Sequence, residues 1–180
     1  ARDSWSLRLL CYPPRRMGLD SVSAADLPLP FGQLRLTELL SEGPAGRVFL
    51  AESPPQGGLP PHVLVRVLRP PKRRGGPSSL NELLGDLQRA RSLRHAAICQ
   101  TFACGVEDEV IFVITERPTG RSLAQLVTES GALPLQSAVA ICAQLGLALQ
   151  HAHSLVHNGR SSPLLHKHLS PEWISVEPSG

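Results

Sequence analysis

Five of the seven histidines lie between residues 151 and 168, and imidazole is a common ligand of zinc and other transition metals. They are His151, His153, His157, His166 and His168. His151 and His153 are two residues apart in a stretch predicted to be helical, so they lie on different sides of that helix. The spacing therefore does not predict a metal site, and we expect no metal ligand in this chain.

A glycine-containing turn is the first candidate for binding a phosphate. Gly43, Gly46 and Val48 match the Gly-rich loop G-x-G-x-x-G-x-V, and this segment resembles that of protein kinases. In that family the backbone N–H groups of the loop cover the phosphates of ATP, because glycine has no side chain to prevent the approach. Ser41 stands at the first glycine position, and Pro44 removes one N–H.

The resemblance next implies an ion pair between a strand and a helix. Val63-Leu64-Val65-Arg66 is similar to the V-A-I-K strand, whose lysine binds the α- and β-phosphates and pairs with a glutamate on the next helix. Arg66 holds the lysine position with a planar fork in place of an ammonium. Leu64 stands where the family uses alanine to leave room for adenine. Asp86 falls at the glutamate position, and Glu82, one helical turn earlier, is an alternative partner.

The segment after the last predicted strand resembles the kinase hinge, which binds adenine. Thr115 corresponds to the gatekeeper residue, and Glu116 corresponds to the hinge glutamate. The backbone N–H that meets adenine in the family falls on Pro118, and proline has no N–H.

The segment at residues 166–173 resembles the catalytic-loop motif H-R-D-L-x-P-x-N, which is the most specific match in the chain. It is also the match in which the most catalytic residues are replaced. His166 matches the first position, and Lys167 replaces the arginine. His168 replaces the aspartate that serves as catalytic base, and Trp173 replaces the asparagine that binds magnesium. The imidazole of His168 differs from a carboxylate, which only accepts hydrogen bonds. The indole of Trp173 offers only an N–H donor, whereas magnesium prefers oxygen ligands.

The resemblance covers about residues 31–180, and the run from Gly159 to His166 is most similar to bacterial receptor-type Ser/Thr kinases. Together with these replacements it implies a pseudokinase that acts as a protein-interaction or regulatory module, with a protein partner that the sequence does not identify. We expect no cofactor. ATP and magnesium would bind only if residual nucleotide binding survives. The alternatives are a divergent ATP-dependent Ser/Thr kinase with relocated catalytic residues, and a decaying gene whose product does not fold.

Hydrophobic periodicity predicts the elements that position these residues, in the order β-β-β-α-β-β-α-α. The clearest segments are strands at Val63–Leu68, Ile98–Cys104 and Val110–Thr115, and helices at Ser78–Leu93, Ser122–Ser130 and Pro134–His153. This order predicts an α+β fold of kinase-like architecture, with a five-stranded antiparallel sheet and one helix followed by the start of a helical lobe. The predicted divisions are a partly disordered leader at 1–30, an N-terminal lobe at 31–117, and a hinge with the first part of a C-terminal lobe at 118–180, truncated before the D-F-G region.

Composition limits the class of partner. The net charge is only +3, and the basic run Lys72-Arg73-Arg74 between proline and glycine residues is expected to be a solvated loop, so nucleic acid is not predicted. No stretch approaches the roughly 20 apolar residues that a membrane helix needs. The four scattered cysteines indicate a reducing cytoplasm; they are Cys11, Cys99, Cys104 and Cys142. Met17 is the only methionine, and we expect translation to begin there and both ends to be those of a fragment.

Overall fold

The computed structural model describes residues 22–43, 46–68, 78–107 and 110–177, which form two compact units. Unit 1 contains the described residues up to Leu80 together with Phe102–Glu116. Unit 2 contains Asn81–Thr101 and the described residues from Arg117 onward. The features predicted at Cys11, Met17, Pro44 and Lys72-Arg73-Arg74 lie outside the described residues.

Unit 1 is built on an antiparallel sheet of six strands, and the fold class is α+β as predicted. The strands are β1 (Leu29–Phe31), β2 (Leu34–Gly43), β3 (Gly46–Glu52), β4 (His62–Leu68), β5 (Thr101–Glu107) and β6 (Val110–Glu116). Their order across the sheet is β1-β2-β3-β4-β6-β5. The loop between β3 and β4 is closed by a hydrogen bond from the Ser53 N–H to the Pro61 carbonyl at 2.9 Å.

The hydrophobic core of unit 1 lies on one face of this sheet. Alternating residues of a strand point to the same face, so Val63, Val65 and Val67 of β4 are all fully buried in this core. Phe49 of β3 is the largest fully buried side chain. The other buried members are Val22, Phe31, Leu34, Leu36, Ala51, Ala103, Phe112 and Ile114.

The sheet has six strands, whereas the sequence predicted five. The additional strand β1 pairs with β2, with Leu29 opposite Leu36 and Phe31 opposite Leu34. Three residues are too few to show a period of two, and Pro30 in the middle argues against a strand in the interior of a sheet. Proline is compatible with this position because β1 lies at the edge.

Arg47 of β3 joins the hairpin of β2 and β3 to the chain that precedes the sheet. Its Nε and Nη2 donate to Oε1 of Glu42 at 3.0 and 2.7 Å. Its Nη1 donates to the carbonyl oxygen of Val22 at 2.6 Å. Because Val22 is itself fully buried, this contact places residue 22 within the packing of unit 1.

Unit 2 contains helices and short strand pairs. The helices are α1 (Ser78–Ala90), of which unit 2 holds the part from Asn81, α2 (Leu123–Ser130) and α3 (Leu135–His153). The strands are β7 (Arg121–Ser122), β8 (Val156–His157), β9 (Arg160–Ser161) and β10 (Ser175–Val176), with β7 paired to β10 and β8 paired to β9. A 3-10 turn covers Pro171–Trp173.

Local signals set the ends of α2 and α3. The Ser122 hydroxyl accepts the Gln125 N–H at 3.1 Å, and the Gln125 side chain accepts the Ser122 N–H at 3.0 Å, which is a capping box. Gly131 ends α2 with φ +74°, and Pro134 precedes α3. Both predicted helices are confirmed.

The connection between α1 and β5 differs from the predicted boundaries. The helix ends at Ala90 rather than Leu93, because the N–H groups of Ser92 and Leu93 bond to carbonyls three residues back in a tighter turn. The strand begins at Thr101 rather than Ile98, because the Ile98 N–H bonds to the His95 carbonyl at 3.0 Å in another turn.

Helix α3 exposes much of its apolar surface. It contains no Lys, Arg, Asp or Glu, yet Ala148 is its one buried residue. Leu135 is 79% exposed, and Val139 and Leu147 are each 59% exposed. Within the part of the chain that the structure describes, no helix is both long and apolar enough to cross a membrane.

Candidate functional site

Several of the predicted nucleotide residues of unit 1 share the face of the sheet that is opposite to its core. Strand pairing aligns Ser41 with Val48, Val48 with Arg66, and Arg66 with Val113. Side chains directly opposite each other on neighbouring strands point to the same face. The sheet therefore brings Ser41, Val48 and Arg66 into one row across three strands.

A second row on this face contains the residues predicted around adenine. Leu64 of β4 is paired with Leu50 on one side and with Thr115 on the other. Leu64 is only 6% exposed, so a buried leucine fills the position where the family has a small alanine. The Thr115 hydroxyl is buried and has no hydrogen-bond partner among the described residues. Glu116 pairs with Val63 and therefore belongs to the opposite face of the sheet.

The two glycines of the predicted phosphate loop have different surroundings. Gly46 has a φ of +137°, and a Cβ at this position would lie 1.9 Å from the carbonyl oxygen of Val67. Gly43, its strand partner, has nothing within 4 Å of an added Cβ. The presence of Gly46 is thus explained by close approach of two strands, whether or not a phosphate binds.

In unit 2, the segment that carries Trp173 is held by a small frame. Strand β10 pairs with β7, and the N–H of Leu123 donates to the Ile174 carbonyl at 2.8 Å. The Thr119 hydroxyl donates to Oε1 of Glu177 at 2.7 Å. The Trp173 N–H bonds to the Ser170 carbonyl at 3.0 Å, and the tryptophan is 56% exposed. The predicted hinge residue Pro118 lies just before this frame.

Replacing Gly120 with alanine is expected to lower the stability of unit 2 by about 1–3 kcal/mol, the usual cost of an added group in a tight site. A Cβ at Gly120 would lie 2.2 Å from the carbonyl oxygen of Val176, so the pairing of β7 with β10 must open. Chemical denaturation followed by far-UV circular dichroism measures this change.

Gly146 provides the matched control, because it lies in α3 with nothing within 4 Å of an added Cβ. Gly146→Ala is expected to stabilise the helix by about 0.5–1 kcal/mol. Equal effects of the two substitutions would contradict the packing role assigned to Gly120.

The segment His166–His168 forms a three-residue turn. The His168 N–H donates to the His166 carbonyl at 2.8 Å, and Lys167 between them has a φ of +63°. Nζ of Lys167 donates to Oδ2 of Asp86 at 2.8 Å, and Arg89 pairs with the other oxygen of that carboxylate. Asp86, predicted as the partner of Arg66, is therefore engaged by two cations of unit 2.

The carboxylate of Glu172 is the titrating group next to this turn. The Ser170 hydroxyl and the backbone N–H of Glu172 itself hold the pKa of Glu172 below its usual value, and the nearby imidazole of His168 acts in the same direction. Glu172 is thus ionised at neutral pH.

The histidines are dispersed. The ring of His151 lies 5.4 Å from that of His95, centroid to centroid, and Nδ1 of His95 accepts the Ala97 N–H at 3.1 Å. Among the residues that the structure describes, no three His, Cys, Asp or Glu side chains come together as a metal site would require.

Comparison with known proteins gives relatives among bacterial kinases, although no family model matches the chain. Over 149 residues, or 83% of the chain, it is 24% identical to the serine/threonine-protein kinase PrkC of Bacillus subtilis (strain 168). Over 89 residues it is 26% identical to the probable serine/threonine-protein kinase CPE1738 of Clostridium perfringens (strain 13 / Type A). The chain spans 21% and 12% of the lengths of these two relatives.

The backbone is similar to that of a solved kinase domain. It matches the crystal structure of the Mycobacterium tuberculosis PknI kinase domain with a TM-score of 0.69 and 20% sequence identity, over 86% of this chain and 58% of that one. The chain has a protein-kinase-like fold. The fold predicted from the motifs is confirmed, and the relatives found by sequence are bacterial Ser/Thr kinases, as expected.

Kinases in general use ATP with magnesium, and the residue that the resemblance assigns to the magnesium-binding position, Trp173, does not fit the metal. At the two positions of the kinase-like loop that supply oxygen in the family, the chain has the imidazole of His168 and the indole of Trp173. Magnesium requires near-octahedral oxygen coordination, which neither ring offers.

The sequence did not indicate the ion pair of Lys167 with Asp86, since 81 residues separate its members. The sequence also did not indicate that residue 120 must be glycine, because the carbonyl oxygen that leaves no room for a side chain there belongs to Val176, 56 positions away. One missed element had a local signal. Asn158-Gly159, with φ of +51° and +73°, forms the two-residue turn between β8 and β9, and Asn-Gly is the strongest short-range sign of a hairpin.

Proposed function

We propose that this kinase-like chain is a pseudokinase module, which serves protein interaction or regulation and does not transfer phosphate. The observation that carries the proposal is the kinase-like loop of unit 2. The β7–β10 frame holds its segment around Trp173, and yet the loop has an imidazole in place of the base carboxylate at residue 168 and an indole in place of the metal-binding amide at residue 173. A kinase-like backbone that lacks the side chains of the phosphate-transfer reaction favours a function that depends on the shape of the protein surface.

Two further observations support the proposal. Leu64 is buried at the position that leaves room for adenine in the family. Gly46 has a structural reason to be glycine that does not involve phosphate. Both are features of a sheet that was kept for its packing.

The complete purified protein that contains this chain, incubated with labelled ATP, magnesium and a generic basic protein, is expected to transfer phosphate only at the background rate. Loss of a general base alone lowers a rate by about 10²–10⁴-fold, and loss of a metal ligand adds to this. Thermal unfolding with and without ATP, each with magnesium, measures nucleotide binding separately, and we expect no ATP-dependent rise in the unfolding temperature.

Arg66→Ala is the matched variant for this test. It removes the cation of the predicted phosphate site, and it should behave as the parent chain in both assays. Magnesium-dependent phosphorylation that Arg66→Ala abolishes would establish the alternative function, a divergent Ser/Thr kinase, and overturn the proposal.

The interaction function is tested with a partner identified by cross-linking in cells. Its binding should survive Arg66→Ala and His168→Ala, since neither changes the frame, and should weaken in Phe49→Ala to the extent that this substitution unfolds unit 1. Binding that requires ATP would contradict a role based on shape alone.

A further inference from the structure

Asp86 is the centre of a small charge cluster within unit 2. Its Oδ2 accepts from Nζ of Lys167 at 2.8 Å, while its Oδ1 pairs with Nη2 of Arg89, three residues later on α1. The Asp86 side chain is 24% exposed and the Lys167 side chain is 67% exposed, so water reaches the ion pair mainly from the side of the ammonium group. Hydrogen bonds between charged groups are stronger than those between neutral ones.

Lys167 has a backbone conformation that an L-residue with a Cβ rarely adopts. Its φ of +63° lies in the left-handed region, which costs free energy unless surrounding contacts stabilise it. The backbone contact that closes this turn is the 2.8 Å bond from the His168 N–H to the His166 carbonyl. The side-chain contact is the ion pair with Asp86.

We propose that the Asp86–Lys167 ion pair is a latch that holds the left-handed turn at Lys167 and thereby fixes His168 relative to α1. Arg89 supports the latch by holding the Asp86 carboxylate in place. A displacement of α1 then changes the conformation of the turn, and a ligand that captures Lys167 releases Asp86. This coupling concerns conformation alone and does not depend on whether the chain transfers phosphate.

The test follows hydrogen exchange of the His168 amide by NMR in the 180-residue chain. In Asp86→Asn and in Lys167→Met, exchange at His168 is expected to accelerate by about 1.5- to fivefold, which corresponds to the measured strength of exposed ion pairs, about 0.2–1 kcal/mol. The amide of Leu123, which bonds to the Ile174 carbonyl, serves as an internal reference that should not change.

Arg121→Met is the matched control, because Arg121 forms an ion pair with Glu129 in the same unit and both side chains are about half exposed. It should leave exchange at His168 unchanged. Unchanged exchange in folded Asp86→Asn and Lys167→Met would overturn the latch, and so would equal acceleration in Arg121→Met or at Leu123.

A measurement on the unsubstituted chain tests the latch even if the substituted variants do not fold. Raising sodium chloride from 0.05 to 0.5 M weakens exposed ion pairs, because the screening length falls. Faster exchange at His168 but not at Leu123 supports the latch. Exchange that responds equally at both amides, or at neither, contradicts it.

Discussion

Replacing Phe49 with alanine is expected to lower the free energy of unfolding of unit 1 by about 3–5 kcal/mol. Phe49 is fully buried at the centre of the sheet, opposite Val65, and is the largest fully buried side chain of the described residues. Its removal forfeits the burial of an aromatic ring and leaves a cavity that rigid strands close only in part. Urea denaturation followed by circular dichroism measures the change.

Leu40 is the surface control for this substitution, since it lies on the neighbouring strand and is 43% exposed. Leu40→Ala is expected to change stability by no more than about 0.5 kcal/mol. Because whole domains are stable by only about 5–15 kcal/mol, the Phe49 variant loses a large part of the total. A loss below about 1 kcal/mol would show that the core is not centred on this ring.

Replacing Gly46 with alanine is expected to cost about 3 kcal/mol or more in the absence of any nucleotide. The added Cβ would lie 1.9 Å from the Val67 carbonyl oxygen, and the φ of +137° is outside the range that alanine adopts without strain. The pairing of Gly46 with Leu68 must therefore open at the end of β3 and β4. Thermal unfolding of the ligand-free chain measures this.

Gly43→Ala is the matched control, because the two glycines face each other across the same hairpin and only Gly46 lacks space. It should leave stability nearly unchanged. Comparable losses in the two variants would mean that the hairpin needs flexibility at both positions, which is the requirement of a loop that covers a phosphate and not of close strand packing.

Elements with strong local signals were predictable from the sequence. The apolar run at β6, the capping serine of α2, and the proline before α3 each act within a few residues, so their prediction did not need the fold. Motif spacing also located Ser41, Val48 and Arg66, which strand pairing places in one row.

Features that depend on distant residues were not predictable in this way. The edge strand β1 is defined by its pairing with β2. Pro28 before it and Pro30 within it are more typical of a loop when the sequence is considered alone. The engagement of Asp86 by Lys167 requires α1 and the turn at residue 167 to meet. The spacing of motifs gave Asp86 as the partner of Arg66, and that pairing stays a prediction.

For the site residues, the sequence predicts position on the fold better than chemical role. The face of the sheet on which a strand residue lies follows from the strand register, because successive side chains alternate between the two faces. Chemical role does not follow, since Leu64 and Gly46 occupy motif positions while packing explains them both. The catalytic and nucleotide-binding roles of these residues stay predictions.

Arg47 has a practical consequence for anyone who shortens this protein. Its guanidinium joins Glu42 to the carbonyl of Val22, seven residues before the first strand begins. A version trimmed to start at β1 would leave a largely buried cation without one of its two acceptors and would remove a fully buried valine from the core. The useful boundary for expression and crystallisation therefore lies before Val22, well ahead of the first strand.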